Sequence, residues 1–356
     1  MFSLKSPGCR FFLLCLLTLL AFSACTSTPP AQATAAPARN QPDWVRDPYT
    51  RFNSATEVAA VGTGSSRDVA DRTALAALVA VFGQSIQVAE SISVSYQEAV
   101  RSGVTASWSE STTAQTSIAT AAGMDTLVGA EIGDRWDNGS EFFAVAVLNK
   151  TRAASTYSEM IRANQTMITN LTTIPDTEKF TLDGFARFQF AATIADITAT
   201  YVNLLSAIGA PALAQGVTRG DDLRLEAQNI TRAIPVGIRV ANDRQNRIQG
   251  AFARALSGLG FQSGGTASRY VLDVTVNISP VTLAGNQNLF ARIEVTANLT
   301  DTATNNVVLP FNFNTREGHT SQTEADNRAV AAAERRINDE YARLLNNHLT
   351  TLLPTR

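Results

Sequence analysis

Cysteine is almost missing from this 356-residue chain: there are three, and two of them, Cys9 and Cys15, fall within the first 24 residues. Without those 24 residues only Cys25 is left, so no internal disulfide can form and stability has to come from packing. Histidine is scarcer still. His319 and His348 show no HxxxH or HExxH spacing, which leaves no histidine-based metal site or triad to argue for. No Gly-x-Ser-x-Gly elbow occurs either. Charge is thin, at 17% Asp, Glu, Lys and Arg, while the apolar set is 45%; that balance describes a globular body rather than a disordered one. A basic surplus is also lacking. Taking Lys5 and Arg10 away with the amino-terminal run leaves 27 basic residues against 31 acidic ones, a net charge of −4, and this excludes a general nucleic-acid binder.

What is present begins with the run itself, Phe11 to Cys25. It follows Lys5 and Arg10, is too short to span a bilayer, and closes on Ala21-Phe22-Ser23-Ala24-Cys25, the layout of a secretory signal. A small pair before cysteine resembles the lipobox of bacterial lipoproteins, with Phe22 standing where that motif usually has Leu. The resemblance implies cleavage between Ala24 and Cys25 and acylation of the Cys25 thiol, palmitate-type chains included. The other reading is an ordinary signal cut after Ala24 that leaves Cys25 a stray thiol. Thr26, in place of Asp directly after the cysteine, resembles the sorting signal for the outer membrane, on its periplasmic face or at the cell surface. Residues 1–24 are thus the expected signal peptide. Residues 25–41, with three prolines and no apolar period, are an acylated tether.

The first folded unit is expected over residues 42–171. Pro42-Asp43-Trp44-Val45 opens it, Glu57 to Val61 is a short strand, and Gly62-Thr63-Gly64 is a turn. Ser65-Ser66-Arg67-Asp68 forms a capping box for an Ala-rich helix ending near Phe82. Ile86, Val88, Ile92, Val94 and Tyr96 alternate with serines as a strand, and the Ser/Thr-rich stretch 101–122 around Trp108 reads as a helix or an extended excursion. Two strands, Thr126 to Trp136 and Glu141 to Leu148, are joined by Asp137-Asn138-Gly139-Ser140, where Asn-Gly supplies positive φ angles. Both faces of the second strand are apolar, which places it centrally.

Together the Pro-Asp-Trp-Val opening, the Ala-Val-Gly-Thr-Gly strand, the Ala-rich helix, and the Trp136 hairpin leading into Ala144-Val145-Ala146-Val147-Leu148 resemble the Lpp-twenty family of envelope lipoproteins. They are similar also to the amino-terminal domain of the flagellar assembly protein T. The resemblance implies an envelope lipoprotein without a catalytic centre and brings no active-site residue with it.

Residues 172–233 form a helical connector. The main helix runs from Leu182 to Ile208, and between Phe188 and Ala210 its only charge is Asp196. A membrane-touching helix and a bundle-core helix both fit that composition; Gln189, Asp196, Asn203 and the threonines favour the bundle core. A third helix, Asp221 to Ala233, carries Leu223, Ala227 and Ile230 on one side.

The last unit, residues 234–356, reads β-α-β-β-β-α. Its strands are marked by Val236 to Val240, Tyr270 to Ile278, Leu289 to Leu299 and Val307 to Phe313. Ser321-Gln322-Thr323-Glu324 is a capping box for the final helix. This order is similar in topology to the amino-terminal domain of TolB and to the curli-secretion lipoprotein. The fold class expected of the whole chain is α+β, two small sheet-plus-helix domains joined by a helical middle segment and preceded by a lipoprotein signal and flexible tether.

Other constellations point away from chemistry. Gly62-x-Gly64 lacks the third glycine of a phosphate loop, since Arg67 stands there and Asp68 would repel an anion. Asp134 to Asn138 has the flavour of a calcium loop, yet Trp136 occupies a ligand position and Val145 stands where a bidentate Glu is required. Asp221-Asp222 complements a helix dipole, and Arg335-Arg336 lies among Glu334, Asp339 and Glu340 on a solvated face. No catalytic, metal or cofactor-binding residue is therefore assigned, and no cofactor is expected. The function expected is non-enzymatic: a lipid-anchored envelope protein that contacts the membrane through acylated Cys25 and binds an envelope protein or itself, without nucleic acid. Two rivals remain open. A carrier of an apolar ligand would have a groove between the Leu182 to Ile208 helix and the first sheet, and an enzyme would bring two acids of displaced pKa into one cleft.

Overall fold

A computed structural model describes residues 40–82, 127–265 and 267–353. The signal segment with Ala24 and Cys25, nearly all of the tether, the strand expected at Ile86 to Tyr96 and the stretch 101–122 lie outside the described residues. The fold is α+β.

Strand β1 (Glu57–Gly64) leads into helix α1 (Arg67–Val81), and the two lie unusually close. Gly62 and Gly64, expected as a turn, belong to the strand. A Cβ on Gly62 would stand 2.0 Å from the backbone nitrogen of Ala74, and one on Gly64 would stand 2.6 Å from that of Ala70. Ala70 and Ala74 return the favour with small side chains, both buried. The helix cap falls on Ser66 rather than Ser65. Ser66 holds the extended backbone that a cap requires, and its hydroxyl accepts the Val69 N–H.

Strands β2 (Ala130–Asp137) and β3 (Phe142–Asn149) form the expected hairpin, and β3 pairs antiparallel with β1 as well, so the order is β1-β3-β2 and β3 is central. In the connecting loop only Gly139 takes a positive φ, +92°. Asn138 works through its side chain instead: its Oδ1 accepts the Ser140 and Glu141 N–H groups and the Ser140 hydroxyl. The two faces of β3 are dry for different reasons. Ala144, Ala146 and Leu148 meet helices, whereas Val145 and Val147 are covered by Trp44 from a 3-10 turn at Asp43–Val45.

Asn149 caps helix α2 (Lys150–Thr172) by accepting the Arg152 N–H. After Pro175 comes one turn, α3 (Asp176–Lys179), and then α4 (Leu182–Ala207). This last helix is apolar all round because two cores claim it. Its first half, including Phe185, Ala192 and Ile194, joins the core of the second sheet. Its second half, including Ile197, Tyr201 and Leu204, joins the core of the first. The bundle-core alternative is the one observed; among the described residues no helix is long and apolar enough to cross a membrane. Helix α5 (Gly220–Ala233) packs against it through Leu223, Ala227 and Ile230.

Five strands make the second sheet, in the order β5-β4-β6-β7-β8. They are β4 (Val236–Ala241), β5 (Ser263–Gly264), β6 (Tyr270–Val281), β7 (Leu289–Asp301) and β8 (Asn306–His319). The short β5 adds one strand to the expected order. It forms where residues just past helix α6 (Arg247–Gly258) run parallel to β4 at Val236 and Gly237. Helix α7 (Gln322–Thr351) follows β8. Its expected capping box does not form, since the Ser321 side chain makes no cap bond; the Ser321 N–H donates instead to His319 Nδ1. Among the described residues nothing covers the sheet's other face, where Thr275, Thr296, Asn312, Glu294 and Asn314 are exposed.

Under α6 and α7 the rings of Phe252, Phe311 and Tyr341 meet edge to face, with centroids 4.9–5.8 Å apart. The Tyr341 hydroxyl is buried there with no hydrogen-bond partner. Desolving it stabilises nothing, and burial also pushes its pKa up. Tyr341→Phe is therefore expected to keep or raise stability by about 1 kcal/mol in urea denaturation, unlike the usual cost of a core substitution. A clear loss would mean that the hydroxyl has a partner, such as a buried water.

Candidate functional site

Two features stand out, and they adjoin. The first is a cleft of about 490 Å³ where α3, the starts of α4, β6 and β8, the end of β7 and the last turns of α7 converge. Its deepest charge is Asp301, 7% exposed, opposite Tyr270 in the β6–β7 register. Asp301 accepts Arg269 Nε at 3.3 Å and Nη2 at 3.0 Å, and its Oδ1 also takes the Ala303 N–H. The bonded carboxylate raises the Arg269 pKa, and the guanidinium lies 5.4 Å from the centre of the Tyr270 ring. The Tyr270 hydroxyl oxygen accepts the Leu182 N–H at 3.1 Å, and burial pushes that phenol up. Asp183 receives Arg187 Nε at 2.8 Å.

His348 faces the same cleft from α7. Its Nε2 is buried and has no hydrogen-bond partner among the described residues, and burial pushes the imidazole pKa below its ordinary value. In the pH range between the folded pKa and the ordinary value of about 6.5, the unfolded chain binds the extra proton. This contribution to stability is therefore complete above about pH 6.5 and is lost as pH falls through the folded pKa. His348→Gln is expected to flatten the slope of urea midpoints between about pH 7 and pH 5. An unchanged slope would assign it to other groups.

The second feature is the free edge of β8. Among the described residues its fourteen residues pair only with β7. Pro310 and the charged Arg316 and Glu317 guard its ends, but Phe311 to Thr315 has neither proline nor charge. Asn306, Val307 and Val308, at the start of the same strand, form part of the cleft wall.

The residues weighed for chemistry are dispersed. Among the described residues no three His, Cys, Asp or Glu side chains are grouped to hold a metal ion. Asp134 pairs with Arg51 at 2.6 Å, Asp221 with Arg224 at 3.1 Å, and Arg336 with Glu340 at 2.5 Å. His319 sits at the end of β8, away from the cleft lining. Among the described residues two carboxyls have displaced pKa values, in opposite directions and outside the cleft. Asp196 is pushed up by burial against the pull of Arg224, and Glu226 is pulled down by its hydrogen bond from Lys179. The groove expected between α4 and the first sheet is filled: Tyr157 of α2 stacks on Tyr201 of α4 at 6.1 Å, both wholly buried. The cleft escaped sequence reading because its residues come from six separated elements.

No family model matches the chain, and no curated protein does, so the Lpp-twenty likeness of residues 42–171 rests on the residues quoted for it. Several solved structures are similar to part of this chain. A secreted protein of Helicobacter pylori is 12% identical with a TM-score of 0.38, the match covering 79% of this chain and 97% of that one. A minor lipoprotein of Acinetobacter baumannii is 16% identical with a TM-score of 0.24, over 33% of this chain and 92% of that one. A Xanthomonas campestris protein of family model DUF330 is 20% identical with a TM-score of 0.23, over 33% and 84%. None of these likenesses bears on function.

Proposed function

We propose that this chain is a bacterial envelope lipoprotein, held on the outer membrane through acylated Cys25, that works without catalysis by binding a protein partner along the free edge of β8. Support for the anchor comes from the sequence: a charged start, a short apolar run and a small pair before Cys25. At about 0.8 kcal/mol per buried methylene, two or three acyl chains hold a protein on a bilayer stably. Support for the binding mode is a single observation, the fourteen-residue edge strand with an uncharged, proline-free centre. Such an edge presents unpaired N–H and C=O groups to any extended segment, which can add as a further strand.

The test is site-specific photo-crosslinking in intact cells. A photoreactive residue at Asn312 or Asn314 on β8 is expected to capture one defined envelope protein, and the same residue at exposed Arg335 on α7 is not. Capture should be lost in Cys25→Ala, which leaves the protein unanchored. Equal capture from Arg335 would sink the edge reading. Retention of the Cys25→Ala protein in the membrane fraction would sink the anchor.

A further inference from the structure

We infer that the cleft at the start of β8 receives a basic side chain, lysine or arginine, carried by the extended segment that pairs along that strand. This rests on the edge reading above and adds the chemistry of the partner. The geometry is direct: Asn306 to Val308 belong both to the edge strand and to the cleft wall, so a segment aligned on β8 passes the opening. A volume of about 490 Å³ leaves room for a long side chain.

Charge selects the sign of that side chain. The cleft is lined by three carboxylates, Glu178, Asp183 and Asp301, against one guanidinium, Arg269. Arg269 is already committed to Asp301, its ion-pair partner at 3.0 Å, and to the Tyr270 ring. Asp183 is shared with Arg187, while the Glu178 carboxylate has no hydrogen bond or ion pair among the described residues. Exposed Val307 and the neighbouring Leu352 suit the methylenes that lead to a terminal charge. An anion would meet Glu178 and Asp183 with no uncommitted cation in the lining among the described residues. A wholly apolar group would strip water from those carboxylates without replacing it.

The experiment uses the full-length protein in detergent and three fluorescein-labelled nonapeptides of alternating valine and threonine, identical except for a central Lys, Gln or Glu. Fluorescence anisotropy is expected to rank them Lys over Gln over Glu, with Lys about five- to tenfold tighter than Gln. Glu178→Gln, at an exposed position that leaves the fold alone, should bring the ratio of Lys-peptide to Gln-peptide affinity close to one. Equal affinity of the three peptides would overturn the basic-side-chain inference and leave the edge reading standing. Binding of none of them, with β8 crosslinks still formed in cells, would overturn the cleft's role alone. Absence of both would overturn the two together.

Discussion

Gly62→Ala is expected to lower stability by about 3 kcal/mol or more and to loosen the amino-terminal core as a whole. The added Cβ would come within 2.0 Å of the Ala74 nitrogen and 2.6 Å of its Cα. Both are backbone atoms of a helix and neither can swing aside. The strain is relieved only if α1 lifts from β1, which opens the contacts of Ala70, Ala74 and Leu78, all buried beneath it. Gly258→Ala at the end of α6 is the control, because a Cβ there meets nothing within 4 Å. Helix propensity should then raise stability by up to about 1 kcal/mol. Urea denaturation of both variants reads the difference. Equal midpoints would mean that the strand and helix tolerate separation, and that the glycine is not there for close approach.

Ala195→Pro should be as damaging, and in both halves of the molecule. Proline inside a helix removes one backbone hydrogen bond and clashes with the preceding turn, at about 3 kcal/mol or more. Ala195 is 1% exposed at the middle of α4, between Phe185 and Ala192 on the side of the second sheet and Tyr201 and Leu204 on the side of the first. Kinking the helix there should pull both sets of side chains from their cores. Hydrogen exchange is the measurement: amides of β3 and of β7 are expected to lose protection together. Loss confined to one strand would show that the two cores are held independently and that α4 is no shared spine.

Much of the local structure was legible from periodicity. The alternation from Tyr270 to Ile278 and from Leu289 to Leu299 reports one dry and one wet face, and both stretches are such strands, with the wet face open. Pattern failed where contacts across the chain decide. Gly62 and Gly64 look like punctuation until α1 lies against them. Ser65 and Ser321 fit capping boxes equally well on paper, but Ser66 takes the first role and the second box is not made. The cleft was hidden for the same reason: Glu178, Asp183, Arg269, Asp301 and His348 are brought together by the fold, and no spacing rule connects them.

By itself the amino-acid sequence set the expectation of an export signal ending at Cys25, and it determined the shortage of charge, histidine and cysteine and the periods that make α+β. Each depends on residues adjacent in the chain or one turn apart, where local sterics and hydrophobic alternation act. Only the tertiary structure decided that α4 is apolar all round because two cores share it, that β8 has a single strand partner among the described residues, and that a cleft with an excess of carboxylates lies at its start. Those are properties of packing between distant segments, since burial, pairing and charge balance are set by what surrounds a residue once the chain has closed on itself.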